Sequence, residues 1–298
     1  MAKGFNMKRH RFSEPEINPL GERRAGLPWQ IQRIHKDKTE ELVDNVVLEE
    51  PLEIVVNGKT LAILMRLPGQ EKELAAGFCV TEGYIRRAED ILLIHHCGQG
   101  LPEPGEEETD GDPGSRNRTE LQVIEEGLIP RDRAEATRLI RSGCGAADIS
   151  PMREALPLLP PGTVAGASLV LELAKRVRDL QVVHERTGGV HAAAVFDVKG
   201  EVIGIAEDIG RHNAVDKVLG HCLLRRIPLK DKILITSGRA SYEMAVKAIR
   251  VGIPVVATMS SPTSLAVELA EDRGLTLIGY LRGGRMNIYT HGERLRKD

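Results

Sequence analysis

From Val190 onward, β-type runs alternate with helix-type runs, and this rhythm limits the possible folds more than any other feature of the chain. Strand Val190–Phe196 and strand Glu201–Ala206 flank a Lys199-Gly200 turn. Helix 211–224, strand Lys232–Thr236, helix 240–250, strand Pro254–Met259 and helix 262–272 follow, then strands Leu275–Tyr280 and Arg285–Tyr289. Alternation of this kind predicts crossover units and a largely parallel sheet. The first half reads differently. Leu52, Ile54 and Val56 alternate, Asn57-Gly58 is a hairpin turn, and Leu61–Met65 returns. Residues 71–85 predict a helix with Leu74, Ala75, Phe78 and Cys79 on one face. Residues 98–118, rich in Gly, Pro and Glu, cannot bury a core and predict a loop or disorder. Glu120–Ile124 reads as a strand, 131–141 as a short helix, Ser150-Pro151 as a helix start and 163–178 as an apolar-faced helix. A polar, Gly- and Pro-containing segment over 1–30 reads as a mobile arm. The chain thus divides into that arm, an α+β part over 31–145 and an α/β part over 146–298.

Composition excludes several classes. Hydrophobic residues make up 41% and charged residues 28% of 298, the balance of an ordinary globular protein. A net charge of -2 gives no field for duplex nucleic acid, and one Trp, four Tyr and four Phe cannot form a base-stacking platform. No apolar run is long enough to span a membrane, and the basic N-terminus has no apolar secretory core. Cys79, Cys97, Cys144 and Cys222 contain no C-x-x-C pair, against a disulfide scaffold or a four-thiolate zinc site. These features together lead us to expect a cytoplasmic protein with no nucleic-acid partner, no membrane segment and no structural metal.

Chemistry concentrates at turns. Glu207–Lys217, E-D-I-G-R-H-N-A-V-D-K, crowds ionisable groups into a strand-to-helix junction, where burial costs desolvation and packing needs none of them. The density suggests a ligand, with Arg211 and His212 as candidates. Two further strand–loop–helix junctions, T-S-G-R-A-S (236–241) and S-S-P-T-S (260–264), belong on the same edge of a parallel sheet, the edge where ligands bind. Ser237, Gly238, Arg239 and Ser241 offer hydroxyls, close backbone approach and a guanidinium. Ser261 before Pro262 reads as an N-cap, and Thr263 lies beside it at a helix start that favours anions. Y-L-R-G-G-R (280–285) adds Arg282 and Arg285 around Gly283 and Gly284, read equally well as a hairpin turn with solvated arginines. Together the four loops point to a phosphate-bearing, nucleotide-like ligand, although neither standard phosphate fingerprint is present.

Cys144 sits between glycines in R-L-I-R-S-G-C-G-A-A-D, with Arg138 and Arg141 upstream. Positive charge and a following helix start favour thiolate. It is either a nucleophile able to carry sulfur as a persulfide or a small loop residue. Cys79 and Cys222 read as core. His191, after Gly188-Gly189, is either an acid/base group at the sheet edge or a structural histidine.

These motifs together resemble the formate dehydrogenase accessory sulfurtransferase family of the FdhD type. The similarity runs from about residue 45 to the end, through L-A-A-G-F-C-V-T-E-G-Y-I (74–85), T-G-G-V-H-A-A-A (187–194), E-D-I-G-R-H-N-A-V-D-K, S-G-R-A-S-Y-E (237–243), S-S-P-T-S-L-A (260–266) and L-I-G-Y-L-R-G-G-R-M-N-I-Y-T (277–290). The resemblance implies a cytidine deaminase-like three-layer α/β domain with a mixed, largely parallel sheet, beside a smaller β-rich N-terminal α+β part. It implies a sulfurtransferase that takes persulfide sulfur from a cysteine desulfurase and passes it to the molybdenum or tungsten bis(guanine dinucleotide) cofactor, as formate dehydrogenase activity requires. It implies a homodimer, a persulfide on Cys144, and cofactor binding at Tyr280, Leu281, Arg282, Gly283, Gly284 and Arg285. The family's C-G-x-C loop reads C-G-A-A here, with Ala147 in place of the second cysteine. One thiol suffices to carry a persulfide, but a resolving partner is lost. A non-catalytic cofactor chaperone is therefore the rival reading. A zinc deaminase is a weaker rival, because the position two after His191 is Ala193 and not glutamate.

Overall fold

The computed structural model describes residues 25–97, 117–129, 153–162 and 165–296. The expected helix over 131–141, the helix start at Ser150-Pro151, the thiol of Cys144 and nearly all of the 98–118 loop lie outside them.

The C-terminal half is built on a six-stranded sheet. Its strands are β8 (His191–Phe196), β9 (Val202–Asp208), β10 (Ile233–Thr236), β11 (Val255–Thr258), β12 (Thr276–Arg282) and β13 (Arg285–Thr290), in the order β13-β12-β11-β10-β8-β9. The sheet is mixed rather than largely parallel. Only β10–β11 and β11–β12 run parallel, while β8–β9, β8–β10 and β12–β13 are antiparallel. Short turns at Lys199-Gly200 and Gly283-Gly284 force two of those pairs, since a tight turn can only reverse the chain. The third arises because β8 inserts between β9 and β10, which a helical crossover joins. Gly283 and Gly284 both have positive φ, 60° and 72°, as a two-residue hairpin needs.

Alternation along the strands sends side chains into two cores. Ala193, Val195, Leu234 and Val256 face α4 (Arg211–Leu224), α5 (Tyr242–Arg250) and α6 (Ser264–Arg273). Ala192, Ala194, Phe196, Ile235 and Ala257 face α2 (Ala167–Asp179) on the other side. Three layers result, and the helix-and-strand order matches the sequence rhythm to within a few residues. The short helix α3 (Val182–Thr187) follows α2 and was not predicted.

The N-terminal half carries a four-stranded sheet, β4-β3-β6-β5, from β3 (Glu50–Val56), β4 (Lys59–Arg66), β5 (Ile91–Cys97) and β6 (Arg118–Val123). Helix α1 (Glu71–Thr81) packs Leu74, Ala75 and Cys79 on it. The helix stops short of residue 85 because Gly83 turns left-handed, φ 73°. The opposite side of α1 crosses α4 at glycines. A Cβ on Gly77 would stand 1.9 Å from the Asp216 carbonyl oxygen, and one on Gly220 1.9 Å from that of Glu73. A hairpin of β1 (Gly26–His35) and β2 (Lys38–Val47) precedes this sheet, so strand structure begins inside the segment expected to be an arm up to residue 30. Pro28 is tolerated because a two-stranded ribbon has free edges. Strands β7 (Ala165–Gly166) and β14 (Leu295–Arg296) pair in parallel. Among the described residues no helix is long and apolar enough to cross a membrane.

Candidate functional site

The parallel strands β10, β11 and β12 end at one edge of the large sheet, joined there by the start of β8 and the end of β9. Their loops are stitched together by backbone. Ser237 N donates to Ala192 O at 2.9 Å, Met259 N to Thr236 O at 3.0 Å, Thr263 N to Ala240 O at 3.0 Å and Tyr280 N to Ser260 O at 2.8 Å. Ser237 Oγ accepts from Ala192 N at 3.0 Å and lies 3.2 Å from His191 Nδ1. The three junctions singled out in the sequence are thus one surface.

Over that surface lies a cavity of about 810 Å³ lined by Ser237, Met259, Ser260, Arg282, Gly283 and Arg285 on the sheet side, and by Arg178 from the end of α2. Three arginines line it, with no Asp or Glu among its lining residues. Arg282 also rests over the Tyr280 ring, 5.7 Å from its centroid, which holds the charge at the rim. Tyr280 is itself bent into a left-handed conformation, φ 53°.

Several predicted residues sit elsewhere. Leu281 is fully buried in the core beneath α2 and does not line the cavity, because the left-handed Tyr280 and the register shift between Gly279 and Arg282 break the alternation and return Leu281 to the face of Ile278. Ser261 does not cap α6. Thr263 does, its hydroxyl accepting from Ala266 N at 3.4 Å, because Pro262 precedes the capping position and does not open the helix. Ser241 occupies the N-cap of α5 without making a cap bond, and Arg239 is exposed; neither lines the cavity. Gly284 completes the hairpin turn. Arg211 packs beside Gly238, where an added Cβ would lie 2.9 Å from Arg211 Cβ, and its Nε has no partner among the described residues. His212 Nε2 lies 2.9 Å from Glu243. That pairing, offset partly by burial, holds the Glu243 carboxyl below its ordinary value.

The charge-dense turn is mostly architecture, with Glu207 and Asp208 bonding neighbouring backbone. Asp208, fully buried, pairs with Lys217 at 2.7 Å and accepts from Leu67 N, Gly210 N and the Asn213 side chain. Glu207 accepts from Val183 N and His184 N at 2.8 and 2.9 Å, satisfying the first turn of α3. Asp216 points toward α1 and α5. Only Arg211 and His212 remain near the edge. Sequence reasoning missed Arg178, which carries no local signal: it belongs to a helix packed on the far face of the sheet.

His191 is held below its ordinary value of 6.5, first by burial, then by the positive charges of Arg211, His184 and His212. It should therefore titrate below a typical histidine in an NMR pH series. The unfolded chain takes up this proton first, so the native state loses stability as pH falls from about 6.5 toward the depressed midpoint. His191→Gln should flatten that part of the stability profile. A midpoint at or above 6.5 would contradict the placement.

A three-layer mixed α/β protein with a cationic groove along one sheet edge is the class that this fold and site define. Residues 47–296 match the FdhD/NarQ family, and the chain belongs to that family. It is 39% identical over 277 residues to the sulfur carrier protein FdhD of Mycobacterium tuberculosis, covering 89% of this chain and 97% of that one. It is 40% identical over 255 residues to the protein of the same name from Sulfolobus acidocaldarius, covering 85% and 91%. A crystal structure assigned to a formate dehydrogenase accessory protein of Desulfotalea psychrophila superposes with a TM-score of 0.71 at 27% identity, over 91% of this chain and all of that one. Among the described residues no group of three or more His, Cys, Asp or Glu side chains is placed to hold a metal ion.

Proposed function

We propose that this chain is a sulfur carrier serving formate dehydrogenase, and that its cargo site is the groove between Arg178 and the β12–β13 turn. The convergence of Arg178, Arg282 and Arg285 over one cavity carries this reading, since three guanidinium forks suit the pyrophosphates of a guanylated cofactor. Its substrate is the molybdenum or tungsten bis(guanine dinucleotide) cofactor. Ser237 and Ser260 supply hydroxyls to the same cavity, and Gly283 lets the ligand approach the backbone.

In the proposed cycle the Cys144 thiolate attacks the outer sulfur of a persulfide on a cysteine desulfurase. A new S–S bond forms on Cys144 and the donor leaves as its thiolate. The outer sulfur then passes to the metal as sulfide, two external thiols supply the two electrons by joining as a disulfide, and Cys144 returns to the thiolate. The cysteine desulfurase, the single-thiol chemistry, a homodimer, a cytoplasmic location and a division into an N-terminal α+β part and a deaminase-like α/β domain are all parts of the same reading. The three layers around a mixed sheet support the last of these.

Mass spectrometry after incubation with a desulfurase and cysteine tests the cycle. The expected result is one reductant-labile sulfur on Cys144, absent from Cys144→Ala, with formate dehydrogenase activation lost in that variant. A Cys144→Ala protein that still activates the dehydrogenase would instead establish the chaperone reading, to which Ala147 lends support.

A further inference from the structure

Among the described residues, the ribbon of β1 and β2 pairs with no third strand. Cross-strand partners share a face, as do residues two apart along one strand. The register therefore sets Leu27 with Val46, Trp29 with Asp44, Ile31 with Leu42 and Arg33 with Glu40 on one face. The other face is anchored at its base, where Val47 packs against the cluster of Leu67, Val183 and Val190. The first face lies open: Leu27, Trp29 and Val46 are 37%, 50% and 46% exposed. A lone two-stranded ribbon is marginal in water, and this one leaves an apolar stripe unburied.

The charges on the stripe select what covers it. Arg33 lies 3.8 Å from Glu40, one cation and one anion at the same level. At another level stand Trp29, whose ring N–H only donates, and Asp44, whose carboxylate only accepts. A second ribbon laid face to face, related by a two-fold axis running along the strands, sets β1 over β2 at every level. Arg33 then meets the partner's Glu40, Trp29 meets the partner's Asp44, and the apolar levels meet each other. Every contact is made twice. Turning the axis across the strands, centred on the stripe, sets Asp44 over the partner's Glu40 and loses the match. Stacked sheets keep their strands within about 30° of alignment, so four levels stay in step. Val47 and its anchor belong to the far face, so the two bodies stand outside the stacked ribbons.

Resting on the homodimer proposed above, we infer that this open ribbon face is where two copies of the chain meet. A face about 34 Å long and about 10 Å wide offers less than the about 800 Å² per partner of a standard interface. The dimer is therefore reversible.

Trp29 is the chain's one tryptophan, so its emission reports on this face. Sedimentation velocity and tryptophan emission over a dilution series of the full chain test the assignment. The dimer should dissociate on dilution, with emission moving to longer wavelength as Trp29 meets water. Arg33→Glu and Glu40→Arg should each weaken the dimer at least about 10-fold, because each places two like-charge contacts across the two-fold. Mixing the two variants should restore the dimer, since one copy then carries two acids where the other carries two bases. A purely internal role for the Arg33–Glu40 pair gives no such rescue, because each variant keeps its own mismatch.

Single variants that dimerise like the parent, a mixture that stays monomeric, or emission that does not follow the dimer fraction would each overturn the ribbon as the interface. Emission that shifts instead when residues 1–24 are deleted would give the face to the chain's own N-terminal segment, and would overturn it too. A parent monomeric at every concentration would overturn the homodimer as well, whereas a dimer unmoved by both charge variants leaves the homodimer standing through another face. Sulfur loading on Cys144 involves neither Arg33 nor Glu40, so the sulfur-carrier reading is tested separately.

Discussion

Asp216→Ala is expected to destabilise the protein by about 3–5 kcal/mol. Asp216 is 1% exposed and sits where α1, α4 and α5 meet. Its carboxylate receives Lys247 Nζ at 2.9 and 3.0 Å and the Thr81 hydroxyl at 2.6 Å. Burial works against the Lys247 charge, yet Asp216 and Glu82 outweigh it and hold the ammonium above the ordinary lysine value. Removing the carboxylate strands a buried ammonium with one fewer counter-charge, and that uncompensated charge is the origin of the loss. Replacing both partners with apolar residues, Asp216→Leu with Lys247→Met, should recover most of it, because both fully buried charges leave together and Glu82, which loses Lys247, is a quarter exposed and reaches water. Urea denaturation of the two single variants and the double variant measures both effects. Single-variant losses below about 1 kcal/mol would show that the pair is not buried as drawn.

Gly220→Ala and Gly77→Ala should each cost about 3 kcal/mol or more, the upper end for overpacking a tight contact. In each case the new methyl group would meet a backbone carbonyl oxygen of the facing helix at 1.9 Å. A backbone atom cannot rotate aside, so α1 and α4 would have to part, and the cores on either side would loosen with them. Intrinsic helix preference pushes the other way, favouring alanine over glycine by about 1 kcal/mol. The sign of the measured change is therefore decisive: a stabilised Gly220→Ala protein would mean that the helices do not cross this closely. The double variant should cost less than the sum, because once the helices separate the second methyl group finds room.

Both effects concern residues inside motifs whose roles the sequence left open. Gly77 lies in L-A-A-G-F-C and Asp216 in E-D-I-G-R-H-N-A-V-D-K. The run of elements from β8 to β13 was legible because period and turn chemistry are local. The apolar run Ala192–Phe196, Gly283-Gly284 and the α4 pattern each announce themselves within a few residues. The shared edge of Ser237, Ser260 and Arg282 was also legible, since parallel strands must end together. The buried fate of Asp208 and Asp216 was not, nor was the bonding of Glu207 to the first turn of α3. A carboxylate looks the same in sequence whether it meets a ligand or a buried lysine, and Lys247 stands 31 residues from Asp216.

By itself the sequence determined the succession of strands and helices, the hairpin at Gly283-Gly284 and the set of loops that carry cations. Only the tertiary structure decided that β8 slips between β9 and β10 and that the charged turn ties helices together. It alone brought Arg178, from beyond the sheet, into the cavity at its edge. Local periodicity is set by neighbours along the chain, whereas a cavity is set by which strands pair, and pairing is a choice among distant segments.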